Sequence, residues 1–348
     1  MTSSGRGGRP GRRAVFEQFA AAVAELESLG GLPAFDDTAD LWHDLWHMEV
    51  HHSTAVEGNT LVLREVEQLL DQGRAVGAKD LKDYMEVLGY AEASRWVFEQ
   101  SGHARTAHGD RLVTLTELRQ LHHVAMTRVW EVAPNPAAEP SEAPGSFRRH
   151  EIAAFPRGMK PPTFPIVPAM VDAWLDDVST FGEDVTAGRL SLVDAPGRLA
   201  QIHVELERIH PFLDGNGRTG RLVLNLVIGR LGWAPVVILK SQRQRYLNAL
   251  MRADAGDHSA LAEIIARASV ASLHRLLPRL AETTDLVPLR ALVDDRISLD
   301  ALRRAVARRR LDATMDAHGT WRSTRAAVDQ YLTTRHRRTT HGADLPSP

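Results

Sequence analysis

His210-Pro-Phe-Leu-Asp-Gly-Asn-Gly-Arg-Thr-Gly-Arg221 puts a base, an acid, a glycine-rich turn and two arginines into one loop and the start of a helix. These are the parts of a phosphate site. Gly215 and Gly217 let the backbone approach a polyanion and turn its N–H groups inward. A helix beginning near Arg218 directs its positive dipole end at the same place. Arg218 and Arg221, three residues apart, share a helix face and reach one phosphate chain together. Asp214, a hard oxygen ligand beside phosphates, suits Mg²⁺. His210, just before the loop, is placed to accept a proton from an incoming nucleophile. Positioning and charge neutralisation are most of what phosphoryl or nucleotidyl transfer requires, so the stretch points to that chemistry without naming the group transferred. The plain alternative is a tight Gly-Asn-Gly turn with surface arginines, and twelve residues of this composition argue against it.

The chain of 348 residues is long enough for a sizeable core and for two or three folding units. It is 43% apolar and 25% charged, and its formal net charge of -2 excludes a global basic field, so nucleic acid or anionic membrane would need a local patch. With no cysteine, nothing depends on disulfides or thiolate metal sites. Residues 1–13 are basic without a following apolar segment and read as a flexible tail, not a signal peptide. The longest apolar stretch, Leu222 to Leu239, is broken by Asn225, Gly229, Arg230 and Gly232, too interrupted to span a bilayer. The expectation is a cytoplasmic protein with no membrane partner.

Working outward from the motif, apolar residues recur at helical spacing almost everywhere. The pattern predicts helices over about Ala14–Leu29, Thr38–Val56, Leu63–Gln72, Lys79–Gln100, Thr116–Val129, Val167–Phe181, Ser191–Ile209, Arg218–Leu231, Gln242–Ala253 and His258–Leu277. Ala133 to Gly145 reads as a loop. Phe147–Phe155 and Pro161–Val167, around Arg157-Gly158, read as a short β-hairpin. Composition shifts after about Glu282, where arginines cluster, and a boundary is expected near 283–287.

The twelve residues match the signature of the Fic family, H-[PF]-F-x-[DE]-G-N-G-R-x-x-R, at every position, and the chain resembles that family over roughly residues 14–283. The resemblance implies an all-α, Fic-type helical core with a short β-hairpin flap. It implies a protein adenylyltransferase: a Ser, Thr or Tyr hydroxyl of a target protein attacks the α-phosphate of ATP, AMP is transferred and pyrophosphate leaves. His210 would be the catalytic base. Asp214, Gly215, Asn216, Gly217, Arg218, Thr219, Gly220 and Arg221 would bind the nucleotide, with Mg²⁺ on Asp214 and Asn216 fixing the loop. The Phe147–Val167 hairpin resembles the family's flap, which pairs with the target's backbone by strand addition. Tyr246 and Leu247 would pack against adenine and Asp254 would contact its edge, although many relatives carry asparagine in that place; on periodicity alone Tyr246 and Leu247 are core residues.

Ser53-x-x-x-Glu57-Gly58 fits the family's inhibitory motif. By resemblance Glu57 pairs with Arg221 and occupies the place of the γ-phosphate, so ATP binds non-productively. On helix physics alone a carboxylate at a helix C-terminus is disfavoured and invites a compensating cation. The same carboxylate could serve as base for removal of AMP, so a de-AMPylase, or a Fic enzyme using another nucleotide, stays open, as does a DNA-binding regulator whose Fic core senses nucleotide. The family often dimerises, which leaves a homodimer open.

The resulting organisation is a disordered basic tail (1–13), an N-terminal helical region with the inhibitory helix (14–110), the catalytic core (111–283), a C-terminal module (284–338) and a tail (339–348). In that module Ser298 is a plausible N-cap, and Arg303, Arg304 and Arg308, followed by Gly319-Thr-Trp321-Arg322 as a turn and wing, resemble the small winged helix-turn-helix of excisionase-like proteins. Its partner is DNA or protein. His43, His47 and His51 at i, i+4 and i+8 share a helix face and invite a metal reading. Against it, Glu49 lies off that face, no other ligand cluster accompanies them, and His47-Met-Glu-Val-His51 is not the H-E-x-x-H order.

Overall fold

The computed structural model describes residues 11–33, 35, 39–101, 111–152, 158–283, 287–294, 296–315 and 319–334. They divide into two compact units between Leu277 and Pro278. Both expected tails lie wholly or largely outside the described residues.

The first unit is helical: α1 (Arg12–Ser28), α2 (Ala39–Glu57), α3 (Leu63–Gln72), α4 (Leu81–Glu99), α5 (Leu115–Val132), α6 (Val167–Thr186), α7 (Ala195–Ile209), α8 (Asn216–Arg230), α9 (Arg243–Asp254) and the greater part of α10 (Ser259–Thr283). Among the described residues no helix is long and apolar enough to cross a membrane. The centre is α8. Leu222, Val223, Leu224, Leu226, Val227 and Ile228 are apolar all round its circumference and all buried, the pattern of a helix enclosed by others. It packs against α2, α4, α5 and α7. Two of its polar residues are paired within the core: Asn225 accepts from Val236 N–H (2.7 Å) and donates to Val236 O (3.1 Å), and Arg230 donates to Leu112 O and to both carboxylate oxygens of Glu117. The motif loop therefore leads into the most deeply held helix of the unit.

The hairpin expected over Phe147–Val167 is not formed in its described parts. Residues 147–152 and 158–167 contain no strand, and Phe164–Ile166 is a single 3-10 turn; residues 153–157 lie outside the described set. Pro161, Pro162 and Pro165 withdraw three ladder donors from what would be the second strand. What fixes this segment instead is one buried side chain, Arg148.

The strands among the described residues lie in the second unit. β1 (Val287–Pro288), β2 (Thr314–Met315) and β3 (Trp321–Ser323) form an antiparallel sheet of order β1-β3-β2, with Val287 opposite Ser323 and Met315 opposite Trp321. Ser298 caps α11 (Leu299–Ala307), its side chain accepting from Ala301 N–H. Leu289, Leu292, Ile297, Leu302, Val306, Leu311 and Val328 make the core, the last from α12 (Arg325–Thr334). Arg303, Arg304 and Arg308 are exposed on or just beyond α11.

Candidate active site

His210 ends α7 in a left-handed conformation (φ 49°, ψ 60°), unusual for a residue with a side chain and costing about 1–2 kcal/mol. Arg148 holds it there. Its side chain is fully buried and its guanidinium donates to His210 O (2.9 Å), Ile209 O (3.4 Å), His150 O (3.1 Å) and Pro162 O (2.6 Å). Its own N–H donates to Pro211 O at 2.9 Å. One residue thus ties the backbone on both sides of the base to the segment before α6. His210 Nδ1 lies 3.1 Å from Glu207 O, and a carbonyl can only accept, so Nδ1 carries the proton and Nε2 keeps its lone pair. Burial lowers the imidazole pKa, against the Glu207 carbonyl and with help from Arg148, which keeps the ring neutral and able to accept a proton.

The loop after His210 is closed by Asn216. Its amide accepts from Phe212 N–H (2.9 Å) and donates to Phe212 O (2.8 Å). Gly215 sits at φ 78°, the left-handed geometry from which α8 starts. Asp214 Oδ1 accepts from Gly215 N–H (2.6 Å) and from Arg218 (3.3 Å), while about half of its side chain remains exposed. Beneath the loop, buried His122 accepts from Gly145 N–H at Nδ1 (2.7 Å) and so donates from Nε2 to Asp214 O (2.8 Å). Its ring stacks on Phe212 at 3.7 Å, and burial pushes its pKa down to about 3.

Both signature arginines are buried and both are engaged. Arg218 pairs with Glu86 of α4 and with Asp214; Glu86 also accepts from Asn59 (2.8 Å), two residues past the end of α2. Arg221 is held by the C-terminal turns of α2: Nε donates to Ser53 Oγ (2.7 Å), and Nη2 to Ser53 O (2.9 Å) and Glu57 Oε1 (2.8 Å). Burial raises the Glu57 pKa, but Arg221 and then Arg218 outweigh it and hold the carboxylate below its usual range. Arg243 of α9 donates to Val56 O, so two cations serve the helix end that carries Glu57. The carboxylate stands over the first turn of α8: a Cβ on Gly217 would lie 2.5 Å from Glu57 Oε1. The helix N-terminus that the motif offers to phosphate is thus covered by an anion from within the chain.

The remaining predicted positions are placed as follows. Thr219 is buried with no partner for Oγ1. Gly220 lies against buried Glu207, where a Cβ would come within 2.3 Å of Oε1. Tyr246 is buried, and its OH meets His203 Nε2 at 2.6 Å, so its hydroxyl belongs to the core. Leu247 is half-buried one position on. Asp254 pairs with Arg208 of α7 (2.7 Å), which also reaches its carbonyl. Sequence reasoning missed Arg148, Glu86, His122 and Glu207, each joined to the motif only by the fold.

A loop carrying Asp214 and Gly215 between two helices, arginines on the following helix, and a preceding histidine with a free Nε2 make a phosphate site. Residues 112–228, from just before α5 into α8, match the Fic/DOC family model. Among curated relatives, the protein adenylyltransferase Fic of Culex quinquefasciatus is 29% identical over 245 residues, 70% of this chain and 44% of that protein. The chain therefore spans less than half the length of such relatives. The solved structure of Fic-1 from Caenorhabditis elegans superposes with a TM-score of 0.59 at 23% identity, covering 78% of this chain and 74% of that one. A Fic family protein from Desulfovibrio desulfuricans gives 0.54 at 20% identity over 95% of this chain and 86% of that one. These likenesses establish the mostly helical Fic fold.

Proposed function

We propose that the chain is a protein adenylyltransferase inhibited by its own Glu57. The observation that carries this reading is the placement of His210 and Glu57 about one loop: a neutral imidazole with a free Nε2 on one side, and a carboxylate on Arg221 over the α8 N-terminus on the other. The names of the relatives at about 29% identity supply the adenylyl group.

In this mechanism the α8 N-terminus, Gly217 and Arg221 bind the phosphates of ATP once Glu57 withdraws. Asp214, half exposed and acidic beside that site, fits a hard cation; Mg²⁺ there would neutralise phosphate charge. His210 Nε2 takes the proton of a target Ser, Thr or Tyr hydroxyl as its oxygen bonds to the α-phosphorus. The bond from that phosphorus to the bridging oxygen breaks, and pyrophosphate leaves. Asn216, spent on closing the loop, fixes the geometry. Target docking along the Phe147–Val167 segment, and adenine packing by Tyr246, Leu247 and Asp254, belong to the same reading. The exposed arginines of α11 suit a phosphate backbone, and a salt-sensitive gel shift of duplex DNA with the whole chain tests that separately.

The experiment is incubation of wild type, Glu57→Gly and Glu57→Gly/His210→Ala with α-labelled ATP, Mg²⁺ and a lysate of the native host. Label on protein in Glu57→Gly that disappears in the double variant supports the reading. Absence of α-label from all three overturns it.

A further inference from the structure

Far from the phosphate site, α2 meets α3 at a cluster the mechanism does not use. His43 and His47, one turn apart on α2, face each other edge to face with ring centroids 4.1 Å apart. Asp71 of α3 lies against both: its Oδ1 is 3.2 Å from His43 Nε2 and 2.9 Å from His47 Nε2. One ligand atom from each residue falls within 4.8 Å of the other two.

We propose that His43, His47 and Asp71 form a site for one divalent transition-metal ion, zinc by ligand type, that joins α2 to α3. Ligands about 2.0–2.1 Å from a tetrahedral zinc stand roughly 3.3–3.4 Å apart, so small side-chain shifts convert the observed spacing into coordination. A second observation is independent of that spacing. His47 is 1% exposed, and its Nε2 has Asp71 Oδ1 at 2.9 Å as its polar neighbour but forms no well-shaped hydrogen bond. A buried ring nitrogen without a well-formed hydrogen bond is uncommon in folded proteins, and a metal ion shared with Asp71 would complete its bonding. His43 and Asp71 are partly exposed, which gives the ion a way in and leaves the fourth position to water.

The row of histidines in the sequence points to His51 as the third ligand, and the fold replaces it. His51 is buried elsewhere, near Leu61 and Lys240, while Asp71 arrives from the next helix. Ten residues separate His47 from Glu57, about 15 Å along the helix, so the ion would anchor the first half of the inhibitory helix without touching the phosphate site.

The test uses the untagged full chain, stripped with chelator and titrated with zinc chloride by calorimetry, with cobalt(II) absorption as a geometric readout. Expected are one zinc per chain, the visible bands of tetrahedral cobalt, and at least ten-fold weaker binding in His43→Ala and in Asp71→Ala, both surface changes whose folding circular dichroism checks. Substoichiometric binding by the wild type, or unchanged affinity in both variants, overturns the proposal.

Discussion

Replacing Glu57 by glycine removes one of three hydrogen bonds that α2 makes to Arg221 and leaves the two to Ser53 in place. A hydrogen bond between charged groups contributes about 1.5–3 kcal/mol net. Because 36% of the Glu57 side chain is exposed while Arg221 is buried, solvent screening reduces this to about 1–2 kcal/mol. That shifts the population in which Arg221 can hold phosphate by roughly 5- to 30-fold, and the initial rate of α-label transfer at subsaturating ATP rises by the same factor. Glu57→Gln, which keeps the size and loses the charge, gives an intermediate rate, and Glu57→Ala separates the effect from glycine's cost at a helix end. An equal or lower rate in Glu57→Gly, with circular dichroism and melting temperature unchanged, would refute the reasoning.

Arg148→Ala takes the guanidinium donor from four carbonyls, one buried and three part-buried, and releases the left-handed His210; a loss of about 3 kcal/mol, roughly 6–12 °C in melting temperature, is expected, with kcat falling more than KM for ATP rises. Asn216→Ala opens the loop at Phe212 N and O and abolishes transfer in a Glu57→Gly background, while Gln244→Ala, on the exposed face of α9, leaves it intact. Acid weakens the fold: His122 and His203 near 3 and His52 near 4 have folded pKa values below their unfolded 6.5, so the unfolded chain gains more protons as pH falls. Glu49 and Glu207, raised to about 7 from 4.5, oppose this between pH 6.5 and 4.5. Urea midpoints therefore decline with acid, and Glu207→Gln steepens the decline by about 1.4 kcal/mol per pH unit in that window.

The helices of the first unit were readable because their apolar stripes repeat at 3.6 residues and their ends carry glycine or proline; α3 has the bounds its pattern predicts, and most others lie within a few residues. The motif was readable because its chemistry is local to twelve residues. Ser53 and Glu57 were found through resemblance, since nothing local to α2 names Arg221, 164 residues beyond Glu57, as a partner. Arg148 and Glu86 left no local signal. Their partners stand 62 and 132 residues away, and only the packing of α4, α7 and α8 brings them together. Asp71 was missed for the same reason, because a one-helix periodicity cannot see a ligand from the next helix. The expected hairpin shows the opposite error: apolar residues flanking Gly158 suggested strands, while the prolines and the Arg148 anchor fix an irregular path in its described parts.

The most direct test of the account is to run Glu57→Gly in parallel with α-labelled and γ-labelled ATP on the same protein substrate, with and without His210→Ala. The account predicts protein label from the α-phosphate alone, and none from either nucleotide once His210 is lost. Label from the γ-phosphate, or α-label that persists without His210, would contradict it.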